Sequence, residues 1–278
     1  MQYRSISGEL HMSSEPGLPP SELIGTRGRP SDVASQTARA LYSVRELLLR
    51  GEFAPGDRVS ELPLVARLGV SRTPIRLALD RLAHMGLLEV NASGGFTVRG
   101  FTPAEALDAI EIRGILEGTA ARLAAERLTD GAELERLQRL GRDMEEFERL
   151  SLDSFASYMD MNEAFHEAIV DLAKSPMLRR TMEQAVSLPF ASPSAMVFPT
   201  SGLADADERL AIAKEHHRAI IEAISSRQGT RAESLAREHA FIGRRVLELA
   251  LSDTAAFGRV PGAPLINLST SRPIPRRH

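Results

Sequence analysis

Pro63-Leu64-Val65-Ala66-Arg67-Leu68-Gly69-Val70-Ser71-Arg72-Thr73-Pro74-Ile75-Arg76-Leu77-Ala78-Leu79-Asp80-Arg81-Leu82-Ala83-His84-Met85 is the stretch that decides the fold. It encodes a short helix, a stop and a second helix. Gly69 tolerates the left-handed backbone that ends a helix. Val70 plugs the corner, and Ser71 is a favoured N-cap for the second helix. Pro74 falls in the first turn, where its missing N–H costs nothing. Leu77, Leu79 and Leu82 are expected to face the core. Arg72, Thr73 and Arg76 then stand at the exposed N-terminal end of the second helix. In a helix-turn-helix that end enters the major groove, where Arg reads guanine O6 and N7 and Ser71 or Thr73 bonds phosphate or base.

Directly downstream, Leu87-Leu88-Glu89-Val90 and Phe96-Thr97-Val98-Arg99 flank the turn Asn91-Ala92-Ser93-Gly94-Gly95. Two short strands around a glycine-rich turn predict a hairpin, the wing of a winged helix-turn-helix. The expected fold is therefore mainly α: a winged helix-turn-helix over 34–100, then an all-α bundle of about six helices over 102–252. The helix spans read from periodicity are 103–127, 131–150, 153–173, 176–188, 205–226 and 230–252. Residues 189–204 carry Pro189, Pro193, Pro199 and Gly202 and read as a loop or a broken helix, a candidate lid. Residues 1–33 and 253–278 read as a flexible arm and tail, rich in proline and without periodicity.

Composition narrows the function. There are no cysteines, so disulfides and thiolate metal sites are excluded. No stretch approaches the ~18 apolar residues of a membrane helix, and Met1 to Met12 holds no apolar run, so a cytoplasmic protein with no membrane partner is expected. The net charge of −3 hides a division. Residues 36–100 hold nine Arg or Lys against six Asp or Glu, a net of +3, whereas 101–250 hold 18 against 26, a net of −8. A basic head suits phosphate; an acidic body stays clear of it.

Three histidines interrupt otherwise apolar helix faces. His166 shares a face with Asn162, Ile169 and Ala173; His217 lies on the stripe of Ala213, Ile220 and Ile224; His239 breaks that of Leu235, Ile242 and Val246. Buried imidazoles need partners. Separate hydrogen-bonded core histidines and convergence on one metal both satisfy that need. Arg113 and Glu117 form an i, i+4 pair that fits either a solvated surface or a pocket.

The runs Gly51-Glu52-Phe53-Ala54-Pro55-Gly56-Asp57-Arg58-Val59, Leu68 to Arg76, Leu82 and Gly86-Leu87-Leu88 closely resemble the GntR family of bacterial regulators, over about 36–100. The resemblance implies a homodimer on a short palindromic stretch of double-stranded operator DNA, with contacts from Ser71, Arg72, Thr73, Arg76 and the wing residues Ser93 and Gly94. Some relatives carry a DNA-contacting Arg where this chain has Leu62, so that contact is not carried over. Arg113-Gly114-Ile115-Leu116-Glu117, Asn162 to His166, His217 to Ala223 and His239 resemble the FadR-type effector domain called FCD, over about 103–250. That resemblance implies a divalent metal on Asn162, His166, His217 and His239, and a small carboxylate effector paired with Arg113. Imidazole and oxygen ligands suit zinc, nickel, manganese or iron. Asn162 is a neutral, weaker ligand than Asp. The expected function is a DNA-binding regulator, acting as a repressor, and not an enzyme. A metal-dependent hydrolase and a structural metal in a dimerisation domain are the alternatives; a hydrolase would have no use for a helix-turn-helix.

Overall fold

The computed structural model describes residues 30–92, 94–148, 152–194, 206–260 and 262–268. The head consists of α1 (Pro30–Leu49), β1 (Arg58–Val59), α2 (Glu61–Leu68), α3 (Arg72–His84), β2 (Leu88–Val90) and β3 (Phe96–Val98). Gly69 takes φ 63° and closes α2 with its N–H on the Val65 carbonyl, as the left-handed cap requires. Val70 is buried in the corner. On α3 the buried face is Pro74, Ile75, Ala78, Leu79 and Leu82, packed on Ala40, Val44 and Leu48 of α1. Leu77, expected in the core, is exposed instead, because the face centred on Ala78 and Leu82 rotates it towards solvent.

The wing pairs Leu88 with Val98 and Val90 with Phe96. Its turn is closed by Asn91 N–H on the Gly95 carbonyl at 2.8 Å, with Gly94 at φ 77°. Ser93 lies outside the described residues. The two-residue β1 adds to the far side of β3, giving the antiparallel order β1-β3-β2.

The body begins with α4 (Pro103–Arg127). Thr102 caps it in a full capping box with Glu105, and Arg99 of the wing donates to the same carboxylate at 2.8 Å. Then come α5 (Glu135–Glu145), α6 (Leu152–Leu172), α7 (Pro176–Ala185), α8 (Ala206–Ser225) and α9 (Gly229–Leu251). The helix expected over 131–150 opens as a 3-10 turn at Gly131–Leu134 and ends at Glu145. The long helices α4 and α9 pack against each other most extensively. A Cβ at Gly114 would stand 2.8 Å from Ala240 Cβ, and one at Gly118 would stand 3.0 Å from the Glu233 carbonyl. These glycines let α9 approach closely and so set His239 beside Glu117.

The segment after α9 departs from the loose tail expected. Over its described part it folds as α10 (Thr254–Phe257), capped by Asp253, and a 3-10 turn at Ala263–Leu265. Phe257, Val260, Leu265 and Ile266 are buried in the apolar cluster that the head shares with α4 and α9. Phe101 and Ile266 form a parallel bridge, with Phe101 N–H on the Leu265 carbonyl and Asn267 N–H on the Phe101 carbonyl, at 2.8 and 2.7 Å. Irregular spacing hides this segment in the sequence, because its order comes from tertiary burial rather than from a helical period.

Candidate functional sites

Among the described residues the fold brings the candidate side chains into two clusters. The first is the N-terminal end of α3. Ser71 takes the extended N-cap conformation, and Arg72, Thr73 and Arg76 are exposed or nearly so at the surface. Both guanidiniums turn towards α2: Arg72 Nε and Nη2 donate to Glu61 Oε2 at 3.3 and 3.1 Å, and Arg76 Nη1 donates to Glu61 Oε1 at 3.2 Å. The opposite end of α3 rests on the body. Gln184 Nε2 donates to the His84 carbonyl at 2.9 Å, and Ser187 Oγ to the Met85 carbonyl at 3.0 Å.

The second cluster lies inside the bundle. His166 of α6, His217 of α8 and His239 of α9 are buried, and one ligand atom from each falls within 4.8 Å of the others. His217 Nε2 and His239 Nε2 are 3.1 Å apart. His166 Nδ1 lies 3.0 Å from Glu117 Oε1, while its Nε2 is buried without a hydrogen-bond partner among the described residues. A carboxylate behind one ring nitrogen fixes the tautomer and leaves the other nitrogen's lone pair free, the usual arrangement of a metal-ligating histidine. The orphaned His166 Nε2 and the facing Nε2 atoms of the other two rings therefore fit a divalent ion bound by imidazole. Sequence reasoning pairs Glu117 with Arg113 alone; its contact with His166 is a tertiary fact that no local spacing announces.

Arg113 is only 4% exposed and Glu117 only 5%, so the pair belongs to the interior. Arg113 Nε is 3.8 Å from Glu117 Oε1, and its Nη1 donates to the Ser192 carbonyl at 2.7 Å. Asn162, also buried, donates from Nδ2 to Ser194 Oγ at 3.2 Å, and Ser194 Oγ donates to the Met159 carbonyl. The segment Pro189 to Ser194 thus holds both Arg113 and Asn162. The described cavity beside the rings, lined by Glu117, His166, Ile169, Ile220, Ala236 and His239, is too tight to admit a water molecule.

Electrostatics follow from this burial. Burial pushes the Glu117 carboxyl up, but the His166 ring and the Arg113 guanidinium outweigh it and hold it at about 2. Burial, reinforced by neighbouring imidazoles, holds His217 and His239 well below the ordinary 6.5, so both are neutral and ready to ligate at neutral pH. Below 6.5 the unfolded chain takes up protons that these folded imidazoles refuse, so stability falls on acidification. In chelator-treated protein the two together should steepen the fall by up to about 1.4 kcal/mol per pH unit per imidazole. Urea midpoints at about pH 7.5 and about pH 5.5 measure it. A His217→Leu, His239→Leu variant with the same pH dependence as the parent would refute the assignment.

Among the described residues no helix is long and apolar enough to cross a membrane. Residues 36–98 match the bacterial regulatory proteins of the gntR family, and residues 108–241 match the FCD domain. The chain is 36% identical over 130 residues to the Nta operon transcriptional regulator of Aminobacter aminovorans, covering 47% of this chain and 60% of that protein. It is 30% identical over 199 residues to a probable D-xylose utilization operon transcriptional repressor of Paenarthrobacter nicotinovorans, covering 69% of this chain and 80% of that one. The fold resembles that of E. coli McbR/YncC, with a TM-score of 0.57 and 23% identity over 77% of this chain and 97% of that chain. The chain belongs to the gntR family of bacterial regulatory proteins, with an FCD domain behind its winged helix-turn-helix.

Proposed function

We propose that the chain is a DNA-binding transcription repressor, working as a homodimer, whose affinity for a double-stranded operator is set by a small organic acid. Arg72 and Arg76 read base edges, Ser71 and Thr73 bond phosphate or base, the wing residues Ser93 and Gly94 lie against the minor groove, and His166, His217 and His239 hold a divalent metal. Asn162 Oδ1 is the oxygen that this side chain would add. Bound metal would supply a Lewis-acidic anchor for a carboxylate, and Arg113 would pair with it. Family membership favours regulation over hydrolysis, since relatives such as the Nta operon regulator are named as regulators.

One observation carries the coupling: the segment that closes on Arg113 is continuous with the segment that props the recognition helix. Ser192 accepts from Arg113, Phe190 packs edge-on against Phe101 at 5.1 Å, and Ser187 and Gln184 hold the carbonyls at the end of α3. An acid that takes Arg113 from the Ser192 carbonyl, and opens the tight cavity, shifts this segment and with it α3. Half-site spacing in a dimer then changes, and the coupling between the two sites is reciprocal.

The test begins with an operator selected by the full chain from a randomised duplex library. Arg72→Ala or Arg76→Ala should each cost ~1–3 kcal/mol of operator affinity at matched salt. If both variants bind like the parent, α3 is not the reading helix. A thermal-shift screen of sugar acids, dicarboxylates and amino acids should then find an acid that changes operator affinity. Calorimetric titration with and without operator should give different affinities for that acid; equal values would rule out control of DNA binding from the pocket.

A further inference from the structure

We propose that Glu61 is a positioning residue for base reading: one carboxylate, fixed at the start of α2, aims both Arg72 and Arg76 at the bases. The inference rests on α3 being the reading helix, as proposed above. Glu61 is the first residue of α2, behind the extended N-cap Ser60. Free N–H groups and the helix dipole favour a carboxylate there, so its location owes nothing to the arginines. Its side chain is 16% exposed, while those of Arg72 and Arg76 are 68% and 59% exposed. A half-buried anion thus grips two otherwise free cations, Oε2 taking Arg72 and Oε1 taking Arg76.

The contact is not explained by stability, because exposed ion pairs contribute little. Nor is it explained by attraction to DNA, because a carboxylate on the phosphate-facing side repels it. Geometry explains it. Arg72 gives Nε and one N–H of Nη2 to Glu61 and keeps Nη1 and the other N–H of Nη2 for an end-on contact. That free end is a two-donor fork, the shape that guanine O6 and N7 accept. Arg76 gives Glu61 only a bond from Nη1. Two long side chains that would otherwise sample many rotamers are ordered before DNA arrives, so less entropy is lost on reading.

Removing the carboxylate should therefore move two quantities in opposite directions. In E61Q, affinity for poly(dI-dC) should rise and its salt slope steepen by about one, since a repelling charge is gone. Preference for the selected operator over poly(dI-dC) should fall about five- to tenfold, with the loss confined to the base pairs that R72A and R76A relax. The thermal unfolding midpoint should fall by no more than a few degrees, the share of a carboxylate at a helix N-terminus. E61Q added to the R72A/R76A double variant should have no further effect on base preference. An E61Q protein that discriminates as the parent does, or better, overturns the proposal while R72A and R76A still lose discrimination. Silence of all three variants overturns the reading-helix assignment, and this proposal with it.

Discussion

Replacing Arg113 by methionine is expected to cost about 3–5 kcal/mol of stability, and adding Glu117→Gln should restore most of it. Breaking a buried ion pair leaves an uncompensated charge, which is far more costly than losing the pair whole. Arg113 is the permanent cation beside Glu117, and the two side chains are 5% and 6% exposed. Without it, burial drives the Glu117 carboxyl upward and only the His166 and His239 rings oppose that. Because these groups touch, their effects must not add. A double-mutant cycle by urea unfolding in chelator measures the coupling. An Arg113→Met variant within about 1 kcal/mol of the parent, or a Glu117→Gln change that deepens the loss, would refute the buried pair. The same pair of variants separates folding from signalling. The double variant should fold and bind operator, yet its operator affinity should no longer answer to acid, because the partner for the carboxylate is gone.

The head is legible in the sequence because its code is local. Gly69, Ser71 and Pro74 each act within one turn, so the position of α3 follows from neighbours in sequence. The wing is legible for the same reason, but β1 is not. Arg58 and Val59 make a strand only by pairing with Thr97 and Phe96, about forty residues away, and two residues carry no period of their own. Leu77 shows the limit of periodicity: an apolar residue at the edge of a helical stripe goes inside or outside according to the neighbour that α3 meets.

In the body, helical period places His166, His217 and His239 on inward faces, and the structure brings the three together. What period cannot give is the company they keep. Glu117 reaches His166 because α4 crosses α6, and Gly114 and Gly118 bring α9 close enough to add His239. Segment 189–194 reads as a loop because its prolines break any period; its capture of Arg113 and Asn162 depends on backbone and hydroxyl oxygens, which sequence pattern does not register. The segment over 254–268 escapes a reading by pattern for the opposite reason: few apolar residues at irregular spacing suffice when an existing core receives them.

Chelation should produce the other large effect, because the three imidazoles pay for burial with unmet hydrogen bonds. Among the described residues His166 Nε2, His217 Nδ1 and His239 Nδ1 have no partner, and the Nε2 atoms of His217 and His239 have only each other. Such groups cost free energy when buried, and a divalent ion meeting the Nε2 lone pairs removes part of that cost. Purified chain is expected to carry close to one ion. With free zinc, nickel or manganese at about 1,000 times its Kd, stability should rise by about 4 kcal/mol over the chelated chain. His166→Ala, His217→Ala and His239→Ala should each abolish both the ion and the stabilisation. Asn162→Asp should tighten binding if that side chain reaches the ion, since it adds a charge beside it; Asn162→Ala reports whether the present amide contributes. Metal analysis of the dialysed variants, with unfolding midpoints in buffer and in chelator, decides the matter. Full occupancy in any two of the three histidine variants would mean that the ion is held elsewhere, and an unfolding midpoint indifferent to chelator would mean that the cluster holds none.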